Sequence, residues 1–286
     1  MKLYKIIQGI LLEDEGKIFL LEEDWDILVN TASLYSHLKQ QQTPERLLAP
    51  ALAAELMEQD LLAPIGTQEV WAAGVTYLRS RDARMEESQE AGGATFYDKV
   101  YEAERPELFF KSLPHRVAGS GHLVYIREDS TWNVPEPELT LFINSSGSIQ
   151  GYTVGNDMSS RSIEGENPLY LPQAKVYERS AALGPCLYVP EQPIDPEAEI
   201  RMIIRRDEQI CFEDHVPLSR MKRSLPELAG WLYKSTDFPQ GCFLMTGTCI
   251  VPGNDFTLQE DDVVEISISG IGLLRNGVAF YRKPAK

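Results

Sequence analysis

From residue 108 onward the chain is a succession of short apolar runs: "ELFFKS", "HLVYIRE", "LTLFINS", "SIQGYTVGND", "CLYVP", "EIRMIIRR", "EQICFED", "FLMTGTCIV" and "DVVEISISGIG". Gly, Pro and Asn punctuate them, and each run has strand length rather than helix length. Such a pattern commits most of the chain to a β-rich body. One helical interruption stands out at "SLPELAGWLYK", where Ser224 and Glu227 match a capping box and Leu225, Leu228, Trp231 and Leu232 repeat on one face.

Ahead of this body the pattern is mixed. "KLYKIIQG" and "KIFLLEE" read as strands, and "DWDILVNTASLYSHLKQQ" reads as one helix with Leu28, Leu34, Tyr35 and Leu38 at near-helical spacing. "TPERLL" predicts a second helix, with Thr43 as N-cap and Pro44 at its first position, limited or restarted by Pro50. Turn residues in "LAPIGTQ" mark a boundary. The expected organisation is therefore α+β and β-rich, with a small α+β domain over 1–66 and a larger domain over 67–286. The charged stretch 78–105 reads as an arm. It is either a solvated helix, or a lid hinged at Gly92-Gly93 whose Arg79, Arg81 and Arg84 cover an anionic ligand.

Composition removes several functional classes. A net charge of -16 opposes phosphate-backbone binding. No apolar run nears the roughly 20 residues of a membrane span, and the N-terminus lacks a signal-peptide pattern, so a cytoplasmic protein is expected. Cys186, Cys211, Cys242 and Cys249 have no zinc spacing and read as buried free thiols.

One stretch, "NVPEPELTLFIN", combines poor strand chemistry with a strand. Residues at i and i+2 of an extended chain share a face, so Glu136 and Glu138 project together while Pro135 and Pro137 point away. Like charges side by side repel unless a cation sits between them. The pair is either a solvated glutamate edge or a ligand set. "LTLFINSSGSIQGYTVGN" reads as a hairpin turning at "NSSGS", which returns the chain and brings Asp157 beside the two glutamates. Three carboxylates suit Mg²⁺ and, less specifically, Mn²⁺ or Ca²⁺. Lys175 in "LPQAKVYERS" is a solvated loop lysine or, beside a metal, an acid, base or anchor. "MTGTC" offers the Gly247 N–H and the Thr248 hydroxyl to a carboxylate or oxyanion.

In order and approximate spacing, "VPEPELTLFI", "GYTVGNDMSSRS", "QAKVYERSAALGPCLYV" and "FLMTGTCIV" resemble the fumarylacetoacetate hydrolase superfamily over about residues 70–280. The resemblance implies a mixed β-roll holding a divalent metal on Glu136, Glu138 and Asp157, with Lys175 and Thr248 at a 2-oxo acid substrate, in a homodimer or higher homo-oligomer. Hydrolytic members carry a motif like NYxxHAxE. Here Thr76 precedes Tyr77 and Ser80 stands where the water-activating His would be, and none of His37, His115, His122 or His215 replaces it. The residues after the TGT motif also depart, as "CIVPG".

"TYLRSRDARMEES" with "VYEAERPELFFKS" is similar to a narrower branch, the 2-keto-3-deoxy-D-arabinonate dehydratases. That likeness implies loss of water to give 2-oxoglutarate semialdehyde through an enolate. Catalysis would fall to Lys175, Glu107, Ser80 and Arg79, with either Lys175 or Glu107 as the base. Substrate would be bound by Arg81, Arg84, Thr248, Gly247 and Lys111. An acylpyruvate-type hydrolase or decarboxylase is the nearest alternative, and a non-catalytic oxo-acid-binding protein the more distant one.

Overall fold

The structure is a computed structural model and describes residues 1–59, 61–79 and 99–283. Among these, strands dominate. Edge to edge, the larger sheet runs Lys17–Leu21, Gly9–Asp14, Lys2–Ile6, Ala181–Tyr188, Ile149–Asp157, Pro137–Ile143, Cys242–Met245, Glu69–Gly74 and Glu107–Ser112, with Val117–Ala118 beside Ala181–Tyr188. A second sheet runs Gln209–Pro217, Glu199–Arg206, Val263–Ile268, Gly272–Phe280 and Leu123–Ile126. Both are mixed: Cys242–Met245 pairs in parallel with Glu69–Gly74, and Gly272–Phe280 with Leu123–Ile126, across long crossovers. The chain is thus α+β and β-rich.

Why the apolar runs lack clean alternation follows from the layers. Leu139, Leu141 and Ile143 enter a core shared with Ile200, Met202, Ile204, Val264 and Ile266 of the second sheet. Phe142 and Phe243 face the opposite core, which holds Leu3, Ile10, Leu28, Leu34 and Leu38 from the N-terminal segment. A strand buried on both faces needs apolar residues at successive positions. The N-terminal strands extend the same sheet, Lys2 and Leu3 pairing with Tyr188 and Leu187.

Two helical expectations need correction. "DWDILVNTASLYSHLKQQ" forms two helices, Trp25–Val29 and Leu34–Gln40, rather than one. The break sits at Asn30, whose side chain donates to the Pro239 carbonyl and accepts from the Ser145 N–H, long-range bonds that hold the chain at the helix end. Thr43 makes no side-chain cap; Pro44–Arg46 is a single 3₁₀ turn, and the helix proper is Pro50–Gln59, starting at the second proline. The capping box at Ser224 and Glu227 is present as expected, on the helix Leu225–Leu232. The expectation of buried thiols is corrected at Cys211, exposed on the edge strand Gln209–Pro217, and at half-buried Cys249. Of the predicted arm, residues 80–98 lie outside the described residues. Its end is held: Arg223 donates to the carbonyls of Val100, Ala103 and Glu104.

Candidate active site

The hairpin that the turn residues predict sets up the acidic cluster. Asn144 Oδ1 accepts from the N–H groups of Ser146 and Ser148, and Gly147 takes a positive φ of 80°, closing the turn. In the resulting register Glu138 lies opposite Gly155 and Pro137 opposite Asn156. The Asp157 N–H donates to the Glu136 carbonyl at 2.9 Å, so the acid that ends one strand is level with the acid that precedes the other. Glu136, Glu138 and Asp157 each offer an oxygen within 4.8 Å of the others. They are 4%, 1% and 1% exposed, which overturns the solvated-edge alternative. Pro135 and Pro137 open a strand that is interior to the sheet, with Ile149–Asp157 on one side and Cys242–Met245 on the other. Proline is tolerated there because it occupies the strand's first residue.

Three buried cations answer two of the three acids, Glu136 and Asp157. Lys175 Nζ donates to Glu136 Oε2 at 2.7 Å, to Ser159 Oγ at 2.6 Å and to Asp157 Oδ2 at 3.3 Å. Arg161 Nη2 donates to Glu136 Oε1 at 2.7 Å. Lys111 Nζ stands 2.5 Å from Asp157 Oδ1. Glu138 has a different partner, the Gly247 N–H, at 2.6 Å from its Oε2. Gly247 must be glycine twice over: its φ is +94°, and a Cβ would overlap the Thr76 hydroxyl.

This arrangement separates the acids electrostatically. Burial pushes the Glu138 carboxyl well above the ordinary carboxylate range, and the neighbouring charges of Asp157 and Glu136 push it further. Burial also works against ionised Asp157, but Lys111 and Lys175 outweigh it and hold that carboxyl below its ordinary value. Lys111 is drawn down to about 8, by burial first, with Asp157 opposing the shift and Lys175 adding to it. A close-packed cavity over the cluster is walled by Gly74, Phe109, Arg161, Lys175, Gly247 and Thr248 together with the acids.

The donor set fits a hard divalent cation. All three acids supply carboxylate oxygens, the ligands Mg²⁺ prefers. Asp157 Oδ1 is buried with Lys111 close by as an ion-pair partner, yet no hydrogen bond is aligned on it, which leaves its lone pairs for a metal. Glu138 accepts one backbone bond, and the like charges of Asp157 and Glu136 outweigh the pull of Lys175 on it.

The sequence-predicted residues fall into three groups. Glu136, Glu138, Asp157, Lys175, Gly247 and Thr248 converge on one cavity. Lys175 is not a solvated loop residue: it ends the short helix Leu171–Lys175 and is fully buried. Glu107 is on the neighbouring edge strand with its carboxylate against Gly74 of the cavity wall, where a Cβ on Gly74 would overlap it. Lys111 is on that strand too but lies off the cavity wall, and Thr248 bonds its own loop through the Ile250 carbonyl and N–H. Arg79 is exposed and lies beyond the cavity wall; Ser80, Arg81 and Arg84 lie outside the described residues. Arg161 was not singled out in the sequence. An arginine in a helix's first turn reads as solvated, yet here it is 2% exposed, four residues after Asp157 on the helix Arg161–Glu166. Its place one short pairing beyond a strand-ending acid is the signal that marks it.

A β-roll with a buried three-carboxylate centre defines a class, and the comparisons identify it: the chain belongs to the fumarylacetoacetate hydrolase family, whose model, "Fumarylacetoacetate (FAA) hydrolase C-terminal", matches residues 70–279. Within that family, a Haloferax volcanii protein named "Probable 2-keto-3-deoxyxylonate dehydratase" is 47% identical over 239 residues, 79% of this chain and 81% of the relative. A Saccharolobus solfataricus "2-dehydro-3-deoxy-D-arabinonate dehydratase" is 42% identical over 222 residues, 77% of this chain and 74% of the relative. Among solved structures, a 2-keto-3-deoxy-D-arabinonate dehydratase complexed with magnesium and 2,5-dioxopentanoate aligns over 99% of this chain and 100% of its own. Its TM-score is 0.84, at 33% identity.

Proposed function

We propose that this chain is a Mg²⁺-dependent dehydratase of a 2-keto-3-deoxy pentonate, forming 2-oxoglutarate semialdehyde (2,5-dioxopentanoate). The observation that carries the reading is buried Lys175 in contact with Glu136 and Asp157 of the acid triad, in a chain 42% and 47% identical to relatives named as 2-keto-3-deoxy sugar acid dehydratases. The two relatives name different sugar acids. Once C2 is a ketone and C3 a methylene, however, C4 is the only stereocentre, so in the D series both names describe one compound.

Glu136, Glu138 and Asp157 would hold the metal, which supplies Lewis-acid stabilisation of charge on the carboxylate and keto oxygens of a 2-oxo acid. The protein's own task is proton management. A base takes the C3 proton, hydroxide leaves C4 with a proton as water, and tautomerisation carries the unsaturation to C5 as an aldehyde. Lys175 and Glu107 are the two groups suited to that transfer: the first touches two of the triad acids, and the second has a buried carboxylate oxygen without a hydrogen bond beside Gly74. Arg161, Gly247 and Thr248 line the remaining wall, where the Arg161 guanidinium suits an anionic substrate while the Gly247 N–H holds Glu138.

We further propose a small N-terminal unit over 1–66 and a catalytic body over 67–286, consistent with a family match that begins at residue 70. The setting we propose is a cytoplasmic homodimer in pentose breakdown. No helix among the described residues is long and apolar enough to cross a membrane.

The test is incubation with 2-keto-3-deoxy-D-arabinonate and Mg²⁺, with and without EDTA, alongside acylpyruvates. A semialdehyde product that disappears with chelation is expected. Turnover that survives exhaustive metal removal, or turnover of acylpyruvates alone, would defeat the proposal.

A further inference from the structure

Lys111 is the one cation of the buried cluster that does not reach the cavity. Strand alternation sends Glu107, Phe109 and Lys111 to one face of Glu107–Ser112. Phe109 forms cavity wall, and the Glu107 carboxylate lies over Gly74. Lys111 is fully buried. Its ammonium donates to the carbonyls of Met158 at 2.9 Å and Lys175 at 2.5 Å and forms an ion pair with Asp157 Oδ1 at 2.5 Å. All of these partners are buried inside the protein.

Those three partners belong to different segments of the chain. Asp157 and Met158 end one hairpin strand, Lys175 ends a short helix, and Lys111 itself is four residues along the edge strand from Glu107. The helix ending at Lys175 has only five residues, too few to fix its own last residue, so its C-terminal carbonyl needs an external donor. Lys111 supplies it, and Ser180 Oγ is a second donor to the same oxygen.

We infer that Lys111 is a positioning residue that locks the backbone of Lys175 against Asp157 and the Glu107 strand, and is not a substrate ligand. The inference rests on the proposed role of Lys175 in proton transfer. With the Lys175 carbonyl fixed, its side chain has one course, toward Glu136, Ser159 and Asp157. Displacing a proton-transfer group by about 1 Å is enough to cost on the order of 100-fold in rate.

The test is a double-mutant cycle on the full chain with Mg²⁺ and 2-keto-3-deoxy-D-arabinonate. Lys111→Met is expected to lower kcat about 100-fold while KM changes less than about 3-fold, because substrate contacts are untouched. In a Lys175→Ala background the same change is expected to cost less than about 3-fold more, since the group it positions is gone. Independent, multiplying losses would overturn the inference, as would a raised KM with kcat retained. Should Lys111→Met fail to fold, Lys111→Gln is measured instead: its amide keeps donors for the two carbonyls, so kcat is expected to stay within about 10-fold of the unaltered chain, and a loss of about 100-fold would overturn the inference. Should Lys175→Ala show no measurable turnover, the split between kcat and KM in the Lys111 variant decides. Failure of the parent reading looks different: Lys175→Ala would then turn over like the unmodified chain.

Discussion

Glu136 and Glu138 sit two residues apart in the same cluster, yet replacing each by glutamine is expected to change the metal-free protein in different ways. Glu136 accepts charge-assisted bonds from both Lys175 and Arg161 at 2.7 Å. Neutralising it leaves two buried cations short of a counter-charge, at about 2–4 kcal/mol. Glu138 has no cation of its own and faces two other carboxylates within 4.8 Å. At an effective dielectric constant of 20 each such pair, if both were ionised, would repel by at least about 3.5 kcal/mol, which adds to burial in raising its carboxyl above the ordinary range. Glu138→Gln removes a carboxyl whose ionisation its surroundings oppose, keeps an acceptor for the Gly247 N–H, and should cost no more than about 1 kcal/mol.

Unfolding entropy of about 2.1 cal/mol/K per residue over 286 residues gives about 0.6 kcal/mol/K. Glu136→Gln should therefore lower the melting temperature in EDTA by about 3–7 °C, and Glu138→Gln by about 2 °C at most. Saturating Mg²⁺ at 100 times its Kd adds about 2.7 kcal/mol, or about 4–5 °C, to the unaltered chain. Both variants should lose that gain. Differential scanning fluorimetry with EDTA and with graded MgCl₂ reads all of these quantities. Equal destabilisation by the two substitutions would refute the charge assignment, and an undiminished Mg²⁺ shift in either would refute the ligand set.

Because the Glu138 carboxyl is raised, metal binding must displace its proton; Mg²⁺ affinity should rise with pH, by up to about tenfold per unit below that group's folded value, as read by titration calorimetry in two buffers of different ionisation enthalpy. The same shift works against the metal-free fold, whose stability falls as pH rises from the unfolded carboxyl's value of about 4.3 to the folded one. Gly74→Ala places a methyl on the Glu107 carboxylate and should lower kcat at least about 10-fold with the fold retained; unchanged kcat would remove Glu107 from the chemistry. Among the thiols, exposed Cys211 should react first with a disulfide reagent at pH 8, whereas Cys186, pushed up to about 12 by burial, should react only on unfolding.

Much of the site was legible because it is built from local rules. Alternation put Glu136 and Glu138 on one face, and Asn144 to Ser148 were recognisable turn chemistry, so the register that delivers Asp157 followed from the chain itself. The class of the fold was legible for the same reason. What the sequence did not disclose depends on which neighbours bury a residue. Lys111, Arg161 and Lys175 are long polar side chains that, taken singly, belong in water; each is buried here only because the others and the three acids are buried with it. The helix break at Asn30 likewise needs Pro239 and Ser145, partners more than a hundred residues away.

That mutual burial also explains the awkward start of "VPEPEL". A strand paired on both sides and apolar on both faces cannot carry carboxylates along its length without desolvating them, so charged ligands can stand only at its end. Pro135 and Pro137 fit that end: Pro137 is the strand's first residue, and Pro135 falls in the gap between it and the short Asn133–Val134 pairing with Ser159–Ser160. Three strand or loop ends converge there, those of Pro137–Ile143, Ile149–Asp157 and the loop after Cys242–Met245, and the acids are held by the sheet's termini rather than its middle. The sequence oddity and the metal centre therefore have one cause, a strand whose ligands stand at its opening and at the end of its hairpin partner.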